Sequence, residues 1–350
     1  DSRKEAPMIT LPEKISLANL PTITYKLQKL SENLGKNIYI KRDDETGIEL
    51  SGNKVRKLEF AAAEALSQGA TVLITCGGIQ SNHARATAVA AVKLGMKSIL
   101  VLRESEKTAI EGNHLLDLIV GADVRFISAE DYALRRFEIM EDIKKDLEAS
   151  GEKGYILPEG ASNGIGLFGY INAMKEIQQQ EDELGIRFDA VVSCVGSSGT
   201  YAGLVVGAKL FNMKCDVIGF NIADTAPNFQ KRAFGYIEEC CSYLEGVTPE
   251  NLGITPESLI ITDGYAGRGY ALNVPADFEF IKEFARLEGI FLDPVYTGKT
   301  LKGMVSEIAK SNFGLSPNNP MADFSDYRNI LFIHTGGLYG LFPKADEMSF

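Results

Sequence analysis

Lys54 stands in the run Ser51-Gly52-Asn53-Lys54-Val55-Arg56-Lys57-Leu58-Glu59-Phe60, a small-residue turn leading into an amphipathic helical pattern. A lysine that forms a Schiff base must shed its proton readily and approach a flat ligand closely. A Gly/Asn turn gives that access better than an exposed helix face. The competing reading is a solvated lysine in a basic first turn, the ordinary situation for lysine. Further segments bear on the choice. Cys76-Gly77-Gly78-Ile79-Gln80-Ser81-Asn82-His83 follows a strand-like run and opens a helix with four polar side chains in a row. A helix start needs one cap, so Gln80, Ser81, Asn82 and His83 exceed that need and can face a ligand above the strand ends. Val195-Gly196-Ser197-Ser198-Gly199-Thr200-Tyr201-Ala202-Gly203 also joins a strand to a helix. Its glycines let several N–H groups converge, its hydroxyls add donors, and the helix dipole favours an anion. A plain glycine-rich turn is the alternative. The segment lacks both Gly-Lys-Ser/Thr and G-x-G-x-x-G spacing, so the expected ligand carries a single phosphate. Asp293-Pro294-Val295-Tyr296-Thr297-Gly298-Lys299 sets Tyr296 and Thr297 at another helix start, and Tyr265-Ala266-Gly267-Arg268-Gly269-Tyr270 is a glycine loop with two phenols and an arginine. Either tyrosine taken alone could simply pack.

The elements that must position these groups form an α/β rhythm. Lys57 to Ser67 reads as a helix, Thr71 to Thr75 as a buried strand, Ala84 to Leu94 as an Ala-rich helix and Ser98 to Leu102 as the next strand. The alternation continues through a helix near 109 to 119, the strand Val124 to Ile127, a charged helix near 130 to 149 and the strand Tyr155 to Leu157. The run from Glu159 to Gly166 reads as a loop between domains. Beyond it, strands at Ala190 to Cys194 and Asp216 to Asn221 flank the helix Gly199 to Phe211, and Ile330 to His334 is a late strand. Gly314 to Asp326 has the turn residues of a surface excursion. With 350 residues the chain exceeds the size at which one core stops growing, so two associated domains are expected. In such sheets ligands bind at the carboxyl ends of strands.

Composition excludes several functions. The formal net charge is -11, and no Lys/Arg cluster is interleaved with aromatics, which argues against a nucleic-acid partner. The five cysteines, Cys76, Cys194, Cys215, Cys240 and Cys241, include no CxxC pair, so buried thiols in a reducing compartment are expected. The three histidines, His83, His114 and His334, have no metal-ligand spacing, and no metal is expected. No apolar run approaches the about 18 residues needed to span a bilayer, and the first residues have no apolar signal core. A cytoplasmic location is the expectation.

Together with Phe332-Ile333-His334-Thr335-Gly336-Gly337, these runs closely resemble, in order and spacing, the signatures of the D-cysteine desulfhydrase and 1-aminocyclopropane-1-carboxylate (ACC) deaminase family. The resemblance spans about residues 10 to 345. It implies the tryptophan synthase β-like architecture of fold type II pyridoxal-phosphate (PLP) enzymes, with two open parallel-sheet domains covered by helices. Residues 1–56 and 167–350 would form the large domain and 57–166 the small one, with the active site in the cleft. It further implies that Lys54 bonds to PLP and that Gly196, Ser197, Ser198, Gly199 and Thr200 take its phosphate. Asn82 would meet the ring hydroxyl, and Thr297 and Thr335 would contact the cofactor. Ser81, Tyr296 and Tyr270 would serve catalysis, with Asn53, Gln80, Ser81, Asn82 and His83 beside a small amino-acid substrate. A homodimer is also implied.

Position 297 discriminates within the family. ACC deaminases carry Glu after the tyrosine, which can keep the pyridine nitrogen protonated; the desulfhydrase branch carries Thr, as here. A hydroxyl cannot stabilise a pyridinium as a carboxylate does. The weaker electron sink suits β-elimination, which has a good leaving group, and counts against opening a cyclopropane. The expected reaction is D-cysteine to pyruvate, ammonia and hydrogen sulfide. L-Cysteate sulfo-lyase is the alternative, because the glycine loop departs from the family's Tyr-Gly-aliphatic-Pro at Tyr270-Ala271-Leu272-Asn273 and carries Arg268, a forked donor suited to a sulfonate. A non-catalytic PLP-binding module is disfavoured because Lys54, Ser81, Asn82 and Tyr296 occur together.

Overall fold

Continuous apolar runs such as Val72-Leu73-Ile74 suit strands covered on both faces, as in parallel sheets flanked by helices. The computed structural model describes residues 10–104 and 109–350 and has that α/β architecture, in two sheets. Residues 1–9 and 105–108, assigned by sequence to the large and the small domain, lie outside the described residues. The strands are β1 (Thr24–Lys26), β2 (Asn37–Lys41), β3 (Val72–Gly78), β4 (Lys97–Arg103), β5 (Asp123–Ile127), β6 (Gly154–Ile156), β7 (Ala190–Val195), β8 (Asp216–Asn221), β9 (Ile260–Thr262) and β10 (Asn329–Ile333). The helices are α1 (Gln28–Leu34), α2 (Lys54–Ser67), α3 (Asn82–Lys93), α4 (Gly112–Ile119), α5 (Ala129–Ala149), α6 (Gly164–Leu184), α7 (Gly199–Leu210), α8 (Ala226–Cys241), α9 (Pro275–Glu288) and α10 (Thr297–Asn312).

One sheet has the order β5-β4-β3-β6 and is parallel throughout. The other has the order β1-β2-β10-β7-β8-β9 and is parallel except for β1, which runs antiparallel to β2. A single apolar cluster runs from Leu73 and Val89, beside the first sheet, through Leu58, Phe60 and Phe168 to Val191 and Leu331 of the second. Helices α2, α6 and α7 lie at its centre and approach closely because glycines line their contacts. A Cβ on Gly169 would stand 2.5 Å from the Arg56 carbonyl, and one on Gly203 2.6 Å from the Leu167 oxygen.

The structure differs from the sequence expectation in informative places. Helix α2 begins at Lys54, not Lys57: Gly52, at φ 109°, makes the turn by itself, and Asn53 is already helical at φ -68°. The glycines of the expected 159–166 loop belong partly to α6, which starts at Gly164 with Asn163 accepting the Gly166 N–H at 3.0 Å. They answer close packing, since a Cβ on Gly164 would stand 2.7 Å from Glu239. The far end of the 314–326 excursion is anchored, with Phe324 fully buried against Phe220 and Tyr327.

Beneath α2 lies a buried ionic cluster. Arg56 donates to Asp43 through Nε and Nη2, each at 2.8 Å, and to Glu176 through Nη1 at 2.9 Å. Lys41 donates to the other Glu176 oxygen at 2.6 Å, and the Tyr170 hydroxyl donates to Asp43 at 2.6 Å. Burial alone would raise both acids; instead the charges and hydrogen bonds of Arg56 and Lys41 hold Asp43 and Glu176 below their ordinary 3.8 and 4.5. Removing one partner of such a cluster strands the others in low dielectric. Asp43→Ala is expected to cost about 3–5 kcal/mol in urea unfolding. Because both folded-state values are depressed, the stability they contribute is complete above the ordinary carboxylate values and falls as pH drops through the lower, folded ones. Unfolding free energy measured from pH 6 to pH 3 should decline, and less so in Asp43→Ala.

Candidate active site

Four helices begin beside one another, and each brings a candidate residue at its start. Lys54 is the first residue of α2, Asn82 of α3 and Gly199 of α7, while Tyr296 immediately precedes α10. One cavity is walled by Asn53, Lys54, Asn82, Cys194, Gly196, Ser197, Ser198, Thr200, Tyr296, Thr335 and Gly336. A second, of about 330 Å³, adds Ser81, His83, Glu159, Gly160 and Tyr270. A third, of about 590 Å³, is lined by Gln80, Asn82, Arg103, Glu111, Tyr270, Tyr296 and Lys344 among others. Sequence-predicted residues from both halves of the chain therefore meet in one cleft.

The loop before Lys54 is pressed onto the end of β10. Asn53 N–H donates to the Thr335 carbonyl at 3.0 Å, and a Cβ on Gly52 would stand 2.9 Å from the same oxygen. Burial lowers the Lys54 amine below its ordinary value of 10.5, against the opposing influence of Cys194 and Glu159. A lowered amine is what a nucleophilic lysine requires.

At the start of α7, Ser198 takes a left-handed conformation, φ 72°, and curls the backbone into a cradle. The Thr200 hydroxyl accepts from Asn53 Nδ2 at 2.8 Å, and the Ser197 hydroxyl accepts from Ser162 at 2.7 Å. The Ser198 hydroxyl is buried without a hydrogen-bond partner among the described residues. Ser162 in turn accepts from Lys57 Nζ at 3.1 Å. Lys57 is fully buried and has no carboxylate partner among the described residues; burial, then the charge of Lys54, pushes its amine well below 10.5. An orphaned hydroxyl and a buried amine that an anion would charge, linked through Ser162 to the turn at a helix start, fit a phosphate monoester. Sequence reasoning passed over Lys57, although its place three residues after Lys54 sets both on one helix face.

The tyrosines meet as a pair, hydroxyl to hydroxyl at 2.7 Å. Asp293 holds Tyr296 by accepting four bonds, from the backbone of Val295, Tyr296 and Thr297 and from the Thr297 hydroxyl, at 2.7–2.9 Å. Lys299 holds Tyr270 by donating to the carbonyls of Ala266 and Gly269, each at 2.7 Å. Burial, then the neighbouring Tyr270, raises the Tyr296 phenol well above 10, so it stays protonated. Sequence reasoning assigned no role to Asp293 or Lys299.

Several predicted residues sit elsewhere than a contact role implies. Thr297 is buried behind the cleft with its hydroxyl tied to Asp293, and it lines none of the three cavities. Gly199 is also behind the wall, where a Cβ would stand 2.5 Å from the Ser162 hydroxyl. Arg268 is exposed on the glycine loop and borders none of these cavities. Ser81 caps α3, its oxygen accepting from Ala84 N–H at 3.1 Å, and faces the second cavity. His83 is buried against Thr75, Nε2 to Oγ1 2.8 Å, and burial with the charges of Lys54 and Lys57 keeps it neutral. Gln80 accepts from the backbone of Asn113 at 2.9 Å.

Comparison with known proteins shows the family. The model of the family described as "Pyridoxal-phosphate dependent enzyme" matches residues 15–336. A Thermotoga maritima protein named "Putative 1-aminocyclopropane-1-carboxylate deaminase" is 41% identical over 336 residues, covering 96% of this chain and 99% of its own. An Arabidopsis thaliana protein named "Bifunctional D-cysteine desulfhydrase/1-aminocyclopropane-1-carboxylate deaminase, mitochondrial" is 41% identical over 344 residues, covering 95% and 80%. A crystal structure of an ACC deaminase homologue superposes with a TM-score of 0.83 at 35% identity, covering 96% of this chain and 95% of that one.

PLP, the family's cofactor, fits the residues present: Lys54 would supply the amine, the 196–200 turn with Lys57 linked to it through Ser162 the anion site, and Asn82 an amide on the same cavity. Lys57→Met keeps the volume and removes the charge. The dissociation constant for PLP is expected to rise about tenfold to a hundredfold, while that for pyridoxal, which has no phosphate, stays unchanged. Equal effects on the two ligands would show that Lys57 acts on something other than the phosphate.

Proposed function

The chain belongs to the pyridoxal-phosphate-dependent enzymes, in the family of D-cysteine desulfhydrases and ACC deaminases, and on that premise we propose that it is a β-eliminating carbon–sulfur lyase acting on D-cysteine. One observation carries the reading: the cavity that Lys54 shares with Asn82 and the 196–200 turn has no carboxylate among its lining residues, whereas Glu159 and Asp224 lie on the second cavity, which Lys54 also borders. The acid found elsewhere in the family is replaced by Thr297, whose hydroxyl is tied to Asp293. Among the polar groups of that lining are the Cys194 thiol and the Thr335 hydroxyl, 3.5 Å apart. Neither can hold a proton on a ring nitrogen as a carboxylate can. Bound there, PLP supplies an electron sink that makes the substrate's α-proton acidic. The weaker form of that sink suits a substrate with a good leaving group on its β-carbon.

The protein's own groups then divide the proton transfers. Lys54, with its lowered amine, is the base for the α-proton, with Ser81 on the adjoining wall oriented by its cap to α3. The Tyr270–Tyr296 pair shares one proton between its oxygens and keeps another to donate, placing an acid beside the departing sulfur. The carbon–sulfur bond breaks with its electrons on sulfur, which leaves as hydrogen sulfide, and water completes the conversion to pyruvate and ammonia.

A second reading, L-cysteate sulfo-lyase, draws support from Arg103 on the third cavity beside both tyrosines, where a sulfonate would find a cation; Lys344 on the same cavity is paired with Glu347 at 2.7 Å, and Glu111 and Asp346 also line it. Arg268 does not contribute to that support. The five cysteines are free thiols, and no helix among the described residues is long and apolar enough to cross a membrane; we place the activity in a reducing compartment, the cytoplasm.

The deciding assay offers D-cysteine, L-cysteine, L-cysteate and ACC separately and measures sulfide, sulfite and keto acid. Equal amounts of sulfide and pyruvate from D-cysteine are expected. Sulfite from L-cysteate alone would favour the second reading, and 2-oxobutyrate from ACC would overturn the argument from the carboxylate-free wall.

A further inference from the structure

Asn82 has two faces, and only one of them suits an anionic ring oxygen. Its Nδ2 is a donor and its Oδ1 an acceptor, so its orientation decides whether the cofactor meets a donor or a repelling lone pair. Asn82 Oδ1 accepts from Asn113 Nδ2 at 2.9 Å, which leaves Nδ2 of Asn82 for the cavity. Asn113 is fully buried, and its Nδ2 also donates to the Gln80 carbonyl at 3.0 Å. Its own orientation is set in turn by Arg85, whose Nε donates to Asn113 Oδ1 at 2.7 Å.

A guanidinium has donors only. It can accept nothing from Asn113, so Asn113 must turn its oxygen to Arg85 and its amide nitrogen to Asn82. Arg85 is 1% exposed and held on its other sides. Nη1 donates to the Glu49 carbonyl and Nη2 to the Ser51 carbonyl, the latter at 2.9 Å, while the group stacks over Tyr339 at 4.9 Å. Glu49 and Ser51 belong to the loop that delivers Lys54.

We propose that Arg85 and Asn113 are positioning residues that fix the donor polarity of Asn82 toward the cofactor's ring oxygen, while Arg85 ties that wall to the Lys54 loop. The inference rests on PLP as cofactor and on Asn82 facing its ring oxygen; it is independent of which substrate is cleaved. A donor on that oxygen stabilises the unprotonated Lys54–cofactor linkage and so lowers the linkage's pKa.

The test is a pH titration of the visible absorption of the PLP-loaded protein, with cofactor affinity and thermal unfolding measured alongside. Asn113→Asp keeps the bond to Arg85, with its charge balanced there, but presents an acceptor to Asn82 and forces the Asn82 amide to reverse. The linkage pKa is expected to rise by about one unit or more, with PLP affinity falling about tenfold and the melting temperature lowered, because the Asp oxygen also faces the Gln80 carbonyl. Asn113→Ala, which adds no charge, should raise the pKa by a smaller amount, and it carries the test if the Asp variant does not fold. Arg85→Lys keeps a donor-only group toward Asn113 but loses ties to the Lys54 loop, so it should shift the pKa less than either Asn113 variant. Asn82→Ala is the control. A shift in Asn82→Ala with none in either Asn113 variant would overturn the relay. No shift in Asn82→Ala itself would refute the placement of Asn82 at the ring oxygen, and the relay with it.

Discussion

Arg56 is a buried cation two residues beyond Lys54, and both of its carboxylate partners come from other parts of the chain. Asp43 lies just after β2, and Glu176 lies midway along α6. The three together fix where the first turn of α2 stands relative to the large sheet and its covering helix. Lys54 is one turn's fraction away on the same helix, so its approach to the cleft follows from that ionic anchor. The glycine contact between Gly169 and Arg56 adds a steric limit to the electrostatic one. Together they leave α2 little freedom to slide. A salt bridge buried this deeply is a weak source of net stability against apolar residues of the same volume. Its contribution here is geometric, because directional bonds to Asp43 and Glu176 fix the position and rotation of the first turn of α2.

Much of this was legible in the sequence, and the reason is chemical. Strand runs such as those of β3 and β8 are continuous in hydrophobic residues because both faces are covered, and they were located to within a few residues. The turns after β3 and β7 were legible because they carry more polar and glycine residues than capping requires. The start of α2 was not, because a glycine that makes a turn and an asparagine that is already helical look alike in a string of small residues. The Gly-rich start of α6 misled for a related reason. Glycine serves both loops and close helix contacts, and only the neighbouring Glu239 and Ala161 backbone decide between them.

The supporting groups of the site were less visible than the groups they support. Asp293, Lys299, Ser162, Arg85 and Asn113 act through bonds to residues 2 to 105 positions distant. No periodicity marks such pairs. Thr297 shows the converse case, in which a residue type was informative while its location was not: its hydroxyl serves the Asp293 cap, so its bearing on cofactor chemistry lies in the carboxylate it does not supply.

Lys54 and Lys57 share one helix face and one desolvated environment, yet the chemistry asks opposite things of them. Lys54 must lose its proton to react. Lys57, joined through Ser162 to Ser197, must keep its proton to serve an anion. Burial lowers both amines, and the charge of Lys54 lowers Lys57 further. A phosphate held in the adjacent cradle would favour the charged form of both amines, Lys54 from the cavity wall it shares with Ser197, Ser198 and Thr200, and Lys57 through Ser162. Once Lys57 is charged, its repulsion favours a neutral Lys54. The two amines thereby compete for charge, and the bond from Lys57 to Ser162, which has no counterpart at Lys54 among the described residues, assigns Lys57 the anion-holding part.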